Sequence, residues 1–281
     1  MKVVVTGGSG LAGRHVVDEL IAHGYDVLNV DIVPPAKQNA PYKFVNTEDL
    51  GQVYGCLQDA DFVVHLAAIP RPTYHTGDVV FRTNTLSTFN IFEASANLGI
   101  HRVVYASSIS VLGYPFYRQY FQPEYLPIDE EHPNQPQDPY ALSKYLGEEI
   151  ARAYVRSHKM TVVSLRMAWI HTPESFKEQL TPMWEKPEDG ASNLWLYVDG
   201  RDVAQACRLG LETELTGFQP FFITAEDTFM KTPSVELARK FYPDTSLRPG
   251  FGGNQSFISV ERAKNFLEYD PQYRWREYSL D

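Results

Sequence analysis

The chain has 281 residues, enough for one large domain or one with a small companion, and its 43% hydrophobic and 21% charged residues match an ordinary globular composition. Whole-chain disorder and a multi-domain assembly are excluded. With 25 Lys and Arg against 35 Asp and Glu, a net charge of −10 and no dense basic block, a nucleic-acid groove is excluded too.

Short runs rich in Val, Ile and Tyr, each followed by a segment of helical period, predict repeated βαβ units and therefore an α/β fold with a doubly wound parallel sheet. Strands are predicted at 2–6, 26–30, 42–45, 61–66, 102–107, 161–166 and 221–224. Val3-Val4-Val5 and Phe62-Val63-Val64 are continuously apolar, which suits strands covered by helices on both faces. After the first strand, Val16, Val17, Leu20 and Ile21 make one helical stripe, and Gly24 stands where a left-handed cap would end it. Further helices are predicted at 79–97, 140–157, 201–212, 234–241 and 259–267. The stretch 113–139 is a long loop rich in Pro, Tyr and Phe, suited to hydrophobic cover, a dimer contact or stacking on a sugar ring. The first ten residues run straight into a strand and a glycine loop, and no apolar stretch reaches the roughly 18 residues of a membrane span. Cys56 and Cys207 lie far apart without CxxC spacing, which predicts buried thiols in a soluble cytoplasmic protein with no membrane partner.

Thr6-Gly7-Gly8-Ser9-Gly10-Leu11-Ala12-Gly13 joins the first strand to the first helix, the setting in which a glycine-rich turn holds a dinucleotide. Gly7 permits the tight turn, Gly10 the approach of backbone to a pyrophosphate, and Gly13 the close seat of helix on sheet; the helix N-terminus adds N–H groups and partial positive charge. Asp31, at the tip of the second strand, can accept from ribose hydroxyls and would repel a 2′-phosphate, which favours NAD over NADP. Arg14 sits beside the loop and could reach a phosphate.

Tyr140 and Lys144 are four apart at the start of a predicted helix and share a face. A phenol ionises near 10, so catalysis near neutrality needs a cation beside it, and Ser107-Ser108 lie at the carboxyl end of the fifth strand, the edge where doubly wound sheets place their sites.

The glycine loop, Asp31, His65-Leu66-Ala67-Ala68, Asn84, Ser107-Ser108 and Tyr140 with Lys144 together resemble the extended short-chain dehydrogenase/reductase family, also called the NAD-dependent epimerase/dehydratase family. The resemblance spans 1–166 and resumes at Tyr197-Val198-Asp199-Gly200-Arg201-Asp202-Val203-Ala204. It implies a Rossmann core with Tyr140 as acid/base, Lys144 holding the nicotinamide ribose and tuning Tyr140, and Ser108 hydrogen-bonding the reacting hydroxyl. It further implies cofactor contacts from Gly7, Gly10, Leu11, Ala12, Gly13, Asp31, Asn46, Leu66, Ala67, Ala68, Asn84, Tyr140, Lys144 and Met167, and a homodimer packed through the helices at 79–97 and 140–157. On the substrate side stand Arg71, Ser108, Ser110, Tyr140 and Trp169, with Arg71 suited to a hydroxyl or carboxylate; Ser107 is scaffold, a role open to Ser110 as well.

Three departures from the family pattern bear on the substrate. Asn46 replaces the Asp that meets adenine, Leu112 replaces the Tyr of Val-Tyr-Gly, and 166–173 lacks the Asn that sugar-nucleotide enzymes place near the diphosphate, with Trp169 in its neighbourhood. A smaller, less charged, carbohydrate-type substrate is expected. Eight histidines show no HExxH or Cys/His cluster, so no metal is expected; His75 and His171 are read as surface residues that could line the cleft, and Asp129-Glu130-Glu131 as solvated charges. The core takes 1–166 and 193–224, leaving 167–192 and 225–281 as a small C-terminal substrate-binding cap. Two enzymatic functions fit, a dehydrogenase acting on a sugar hydroxyl and a sugar-nucleotide epimerase or dehydratase that retains its NAD; a non-catalytic NAD sensor is the third reading.

Overall fold

In the computed structural model, which describes residues 1–278, the strands in chain order are β1 (Lys2–Thr6), β2 (Asp26–Asp31), β3 (Tyr42–Phe44), β4 (Phe62–His65), β5 (Arg102–Ser108), β6 (Tyr125–Leu126), β7 (Thr161–Met167), β8 (Ile170–His171), β9 (Val198–Asp199), β10 (Phe218–Ile223) and β11 (Ser246–Leu247). Seven of them form one parallel sheet in the order β10-β7-β5-β4-β1-β2-β3. The order reverses between β1 and β4, and the crevice above their carboxyl ends is where such sheets bind ligands. Val3 and Val5 face one core and Val4 the other, as the two-residue period of a strand requires.

The helices are α1 (Leu11–Ala22), α2 (Leu50–Leu57), α3 (Gly77–Asn97), α4 (Pro139–His158), α5 (Pro173–Gln179), α6 (Pro187–Ala191), α7 (Gly200–Glu212), α8 (Ser234–Phe241) and α9 (Glu261–Leu267). Helices α1 and α7 pack together on one face, burying Val16, Val17 and Leu20 with Val203 and Ala206. On the other face α3 and α4 pack together, burying Ile91 and Phe92 with Ala151 and Tyr154. Gly24 has φ +81, the expected left-handed stop after α1. Helix α2 lies outside the predicted set, and the predicted last helix begins two residues late, at Glu261.

The final sheet strand starts at Phe218 rather than at 221 and contains Pro220, which is tolerable because β10 is an edge strand and needs one donor fewer. The long loop carries β6, which pairs with β11, and its rings pack inward: Tyr114 lies 4.6 Å from Phe121, and Tyr120 stacks on Tyr242 at 6.5 Å. It thereby ties the region before α4 to the C-terminal part of the chain. Asp129 and Glu130 are not simply solvated. Asp129 pairs with Arg248 and accepts from Tyr125 Oη at 2.7 Å, while Glu130 Oε1 accepts from the Phe222 N–H of β10 at 2.9 Å. Cys56 and Cys207 are both buried. The last three residues of the 225–281 region lie outside the described residues.

Candidate active site

The turn after β1 closes through two backbone bonds, from Gly7 N–H to Val30 O at 2.8 Å and from Gly10 N–H to Gly7 O at 3.1 Å. Gly7 has φ +72, and a Cβ on it would stand 2.7 Å from the Ala67 nitrogen; a Cβ on Gly13 would stand 2.1 Å from Gly7 O. Both positions therefore require glycine. Leu11 and Ala12 open α1 beside this cradle, and Leu66, Ala67 and Ala68 follow β4 as its half-buried wall. Ala67 N–H donates to Thr6 Oγ1 at 3.3 Å, and the same hydroxyl meets His65 Nδ1 at 2.7 Å.

Asp31 closes the other side. Its Oδ2 accepts from Ser9 N–H at 3.0 Å and its Oδ1 from Val33 N–H at 3.1 Å, so the carboxylate is fixed against the glycine loop with lone pairs to spare. The N-terminus of α1, whose first-turn N–H groups have no intrahelical acceptor, flanked by a fixed carboxylate, fits a dinucleotide's pyrophosphate and ribose. Asn46 is exposed, and its Oδ1 accepts from Glu48 N–H at 3.0 Å, leaving the amide donors free for a ring edge. Asn84 is already engaged: Oδ1 accepts from Ile69 N–H at 2.8 Å, and Nδ2 donates to Ile69 O and Ser143 Oγ, each at 3.1 Å. It shapes the loop after β4 instead of presenting a free contact.

Asp138 caps α4 by accepting from the Tyr140 and Ala141 N–H groups at 2.8 and 3.1 Å, and Pro139 occupies the first turn, where its missing donor costs nothing. Tyr140 and Lys144 thus project from a well-started helix onto the end of β5. Burial pushes the Tyr140 phenol up to about 12; the Ser108 hydroxyl bonded to it and the positive charge of Arg71 pull it down, while Asp138 pushes it up. Ser108 Oγ also donates to Ser110 Oγ at 3.0 Å, so both serines belong to one hydroxyl chain.

Lys144 is anchored on the strand end beside Tyr140 and is not bonded to the phenol. Lys144 Nζ donates to Ala106 O at 2.7 Å, lies 5.9 Å from the Tyr140 ring centroid, and is lowered by burial to about 8. Met167 ends β7 opposite Ser108 and is buried.

Two features were missed by residue-level reading. The first is a buried ion pair under the site: Glu148, one turn beyond Lys144, accepts from Arg166 Nε and Nη2 at 2.9 and 2.8 Å, from Ser107 Oγ at 2.7 Å and from Ser164 Oγ at 3.2 Å. This makes Ser107 scaffold, as expected. The second is His171, which is 1% exposed rather than on the surface; it packs 4.6 Å from the half-buried Trp169, and burial with Arg71's charge lowers its imidazole to about 4. His75, by contrast, is exposed. His65 is likewise lowered, to about 3, by burial and by Lys144.

Both buried imidazoles stay neutral in the fold and gain protons on unfolding below about 6.5, so they withdraw stability as pH falls. Asp202, raised by burial to about 6, acts oppositely, since it takes up its proton in the folded state first. Together the three groups predict a net loss of about 2–3 kcal/mol between pH 7 and pH 5, to be read as a lower urea midpoint; an unchanged midpoint contradicts the burial of the two histidines.

A family model described as "NAD dependent epimerase/dehydratase family" matches residues 3–217. The chain belongs to this NAD-dependent family. A putative UDP-glucose 4-epimerase of Methanocaldococcus jannaschii is 35% identical over 183 residues, 60% of this chain and 56% of that protein. The L-arabinose 1-dehydrogenase (NAD(P)+) of Haloferax volcanii is 29% identical over 203 residues, 67% of this chain and 78% of that protein. Among solved structures, a short-chain dehydrogenase/reductase superfamily protein from Agrobacterium tumefaciens with bound NAD superposes with a TM-score of 0.76 at 23% identity, covering 99% of this chain and 94% of its own. The match to the first relative thus spans little more than half of that protein's length, while the fold likeness covers nearly the whole chain. The family match covers most of the chain, from the glycine loop through α7. Among the described residues, no helix is long and apolar enough to cross a membrane.

Proposed function

We propose that the protein is an NAD-dependent dehydrogenase that oxidises one hydroxyl of a small sugar or sugar-derived substrate. The observation that carries this reading is the aromatic block beyond β7: Trp169 lies 4.6 Å from His171, and His171 6.2 Å from Phe176. By the family resemblance a sugar nucleotide's diphosphate would need polar partners near 166–173, where this chain carries the Trp169 and His171 rings instead. The substrate-side region, taken as 167–192 and 225–281, is also small.

In this mechanism Tyr140 Oη, as phenolate, takes the proton of the substrate hydroxyl while the carbinol C–H bond breaks and C=O forms. Ser108 Oγ steadies the oxygen as charge shifts, handing over the bond it now gives Ser110. Lys144 would hold the nicotinamide ribose and Met167 would back the ring. Bound NAD supplies the acceptor for the departing hydride and a positive charge beside the phenol. The products are a ketone or lactone, reduced cofactor and one proton.

NAD is preferred over NADP because the Asp31 carboxylate would face a 2′-phosphate. Asp31→Ser should move the ratio of kcat/KM for NADP over NAD upward by about tenfold or more; an unchanged ratio removes Asp31 from cofactor choice. We also propose a homodimer through α3 and α4, supported by exposed Leu86 and Phe89 on α3 and Leu142 on α4; sedimentation showing only monomer counts against it. The dehydrogenase reading is tested by cofactor exchange. It predicts that NAD leaves on gel filtration and that activity returns on adding it, whereas an epimerase would retain the cofactor.

A further inference from the structure

We propose that Ser107 is a positioning residue for the reaction: its bond to Glu148 is the strut that holds the end of β5, and with it Ser108, against α4 while Tyr140 and Lys144 engage the reactants. This rests on Tyr140 and Ser108 as the reacting groups, and it holds whether the net reaction is oxidation or epimerisation.

The end of β5 needs a strut because it is laddered on one side only. Pairing with β4 stops at Tyr105, opposite His65, whereas pairing with β7 runs on to Ser108, opposite Met167. Ala106, Ser107 and Ser108 thus extend past the β4 ladder, and the chain then bends at once into a 3-10 turn over Ile109–Leu112. Ser108 Oγ caps that turn by accepting from Ser110 N–H at 3.1 Å. The hydroxyl that meets Tyr140 therefore sits at a strand-to-turn junction.

Three bonds from α4 close on this strand end. Residues 140, 144 and 148 are four apart and share a helix face. Tyr140 is bonded to the Ser108 hydroxyl, Lys144 Nζ donates to Ala106 O at 2.7 Å, and Glu148 Oε1 accepts from Ser107 Oγ at 2.7 Å. The first two involve groups that the reaction uses, since the phenol takes a proton and the ammonium would hold the nicotinamide ribose. The third involves neither, and it is the most firmly anchored. Glu148 is fixed from β7 by Arg166 Nε and Nη2 at 2.9 and 2.8 Å and by Ser164 Oγ at 3.2 Å, and all four residues are buried. A hydroxyl donating to a carboxylate makes a short, strong bond, and burial keeps water from competing for it.

Ser107→Ala removes the strut and leaves the Glu148–Arg166 pair in place, while Ser107→Thr keeps the hydroxyl. Each full-length variant is assayed with NAD against free aldoses, free sugar acids and UDP-sugars, and amide hydrogen exchange over 106–113 is followed by mass spectrometry. Ser107→Ala should lower kcat by about 10–100-fold with NAD affinity within about twofold, and should speed exchange at the Ser110 N–H by about tenfold. Its acid limb should move to higher pH as the Ser108 hydroxyl is less well held on the phenol; Arg71, Asp138 and Lys144, which also face the phenol, are unchanged in the variant. Ser107→Thr should recover most of the turnover and the slow exchange. Wild-type turnover in Ser107→Ala, a lower melting midpoint with kcat, acid limb and exchange unchanged, an equal loss in Ser107→Thr, or a loss confined to NAD affinity each overturns the proposal. Isomerisation of a UDP-sugar with no net reduction of NAD, slowed in Ser107→Ala, would sink the dehydrogenase reading and leave the strut standing. Should no sugar turn over, exchange decides: faster exchange at Ser110 in Ser107→Ala, restored in Ser107→Thr, supports the strut, and unchanged exchange overturns it.

Discussion

Tyr140→Phe is expected to reduce turnover by about 10²–10⁴-fold, the usual worth of a positioned acid/base, while NADH affinity measured by fluorescence titration stays within about twofold. The substitution removes one hydroxyl from a residue that is 8% exposed and keeps the ring that packs there. Lys144 is anchored on Ala106 O rather than on the phenol, so its position survives the change. The pH dependence carries a second signature. Burial holds the phenol near 12 while Ser108 and Arg71 pull it down, so the phenolate must be gained as pH rises and turnover should climb through the acid limb of the profile. Ser108→Ala removes one lowering influence, and its acid limb should move to higher pH. A Tyr140→Phe protein with full activity, or a Ser108→Ala limb displaced to lower pH, contradicts the assignment.

Glu148→Ala is expected to be the most destabilising single change near the site. The carboxylate is 1% exposed and receives three side chains, and without it the Arg166 guanidinium, 2% exposed, is left as an uncompensated buried charge. Breaking a buried pair in this way costs about 3–5 kcal/mol, which for a chain of this size lowers Tm by roughly 10 °C. Glu148→Gln, which keeps an acceptor for Ser107 and Ser164, should fall between. Because Arg166 sits opposite Ser107 in the β5–β7 register, the loss also loosens the strand end that carries Ser108, and activity should fall in the surviving folded fraction. An unchanged melting midpoint for Glu148→Ala would show that the pair is not buried as described.

Much of this arrangement was legible in the residues. The apolar runs Val3-Val4-Val5 and Phe62-Val63-Val64 suited strands covered on both faces, and they are β1 and β4 at the switch point. Gly7 and Gly13 were legible because each has a steric demand that no other residue meets. Tyr140 and Lys144 shared a helix face by spacing alone. What was not legible depended on pairings between distant residues. Helix α2 is short and ordinary; its cue, Asp49 accepting from Gln52 N–H, is a cap that many turns also carry. His171 read as a surface residue because one histidine in Trp169-Ile170-His171-Thr172 has no periodicity, and the pairing of β8 with β9 and the packing of Trp169 and Phe176 on the ring bury it. Glu130 read as one of three solvated acids because nothing in the sequence announces that a β10 N–H would seek it. The spacing put Tyr140 and Lys144 on one face, but not that the ammonium would be bonded to Ala106 O, a pairing only the β5 strand end provides.

The most direct measurement is net reduced nicotinamide formed when the purified chain is given excess NAD with a panel of free aldoses, free sugar acids and UDP-sugars, each followed to completion beside a product assay for isomers. The account predicts reduced cofactor accumulating in proportion to a free sugar consumed, with a ketone or lactone formed in equal amount and none in Tyr140→Phe. Conversion of a UDP-sugar into its isomer with no accumulation of reduced cofactor would contradict it.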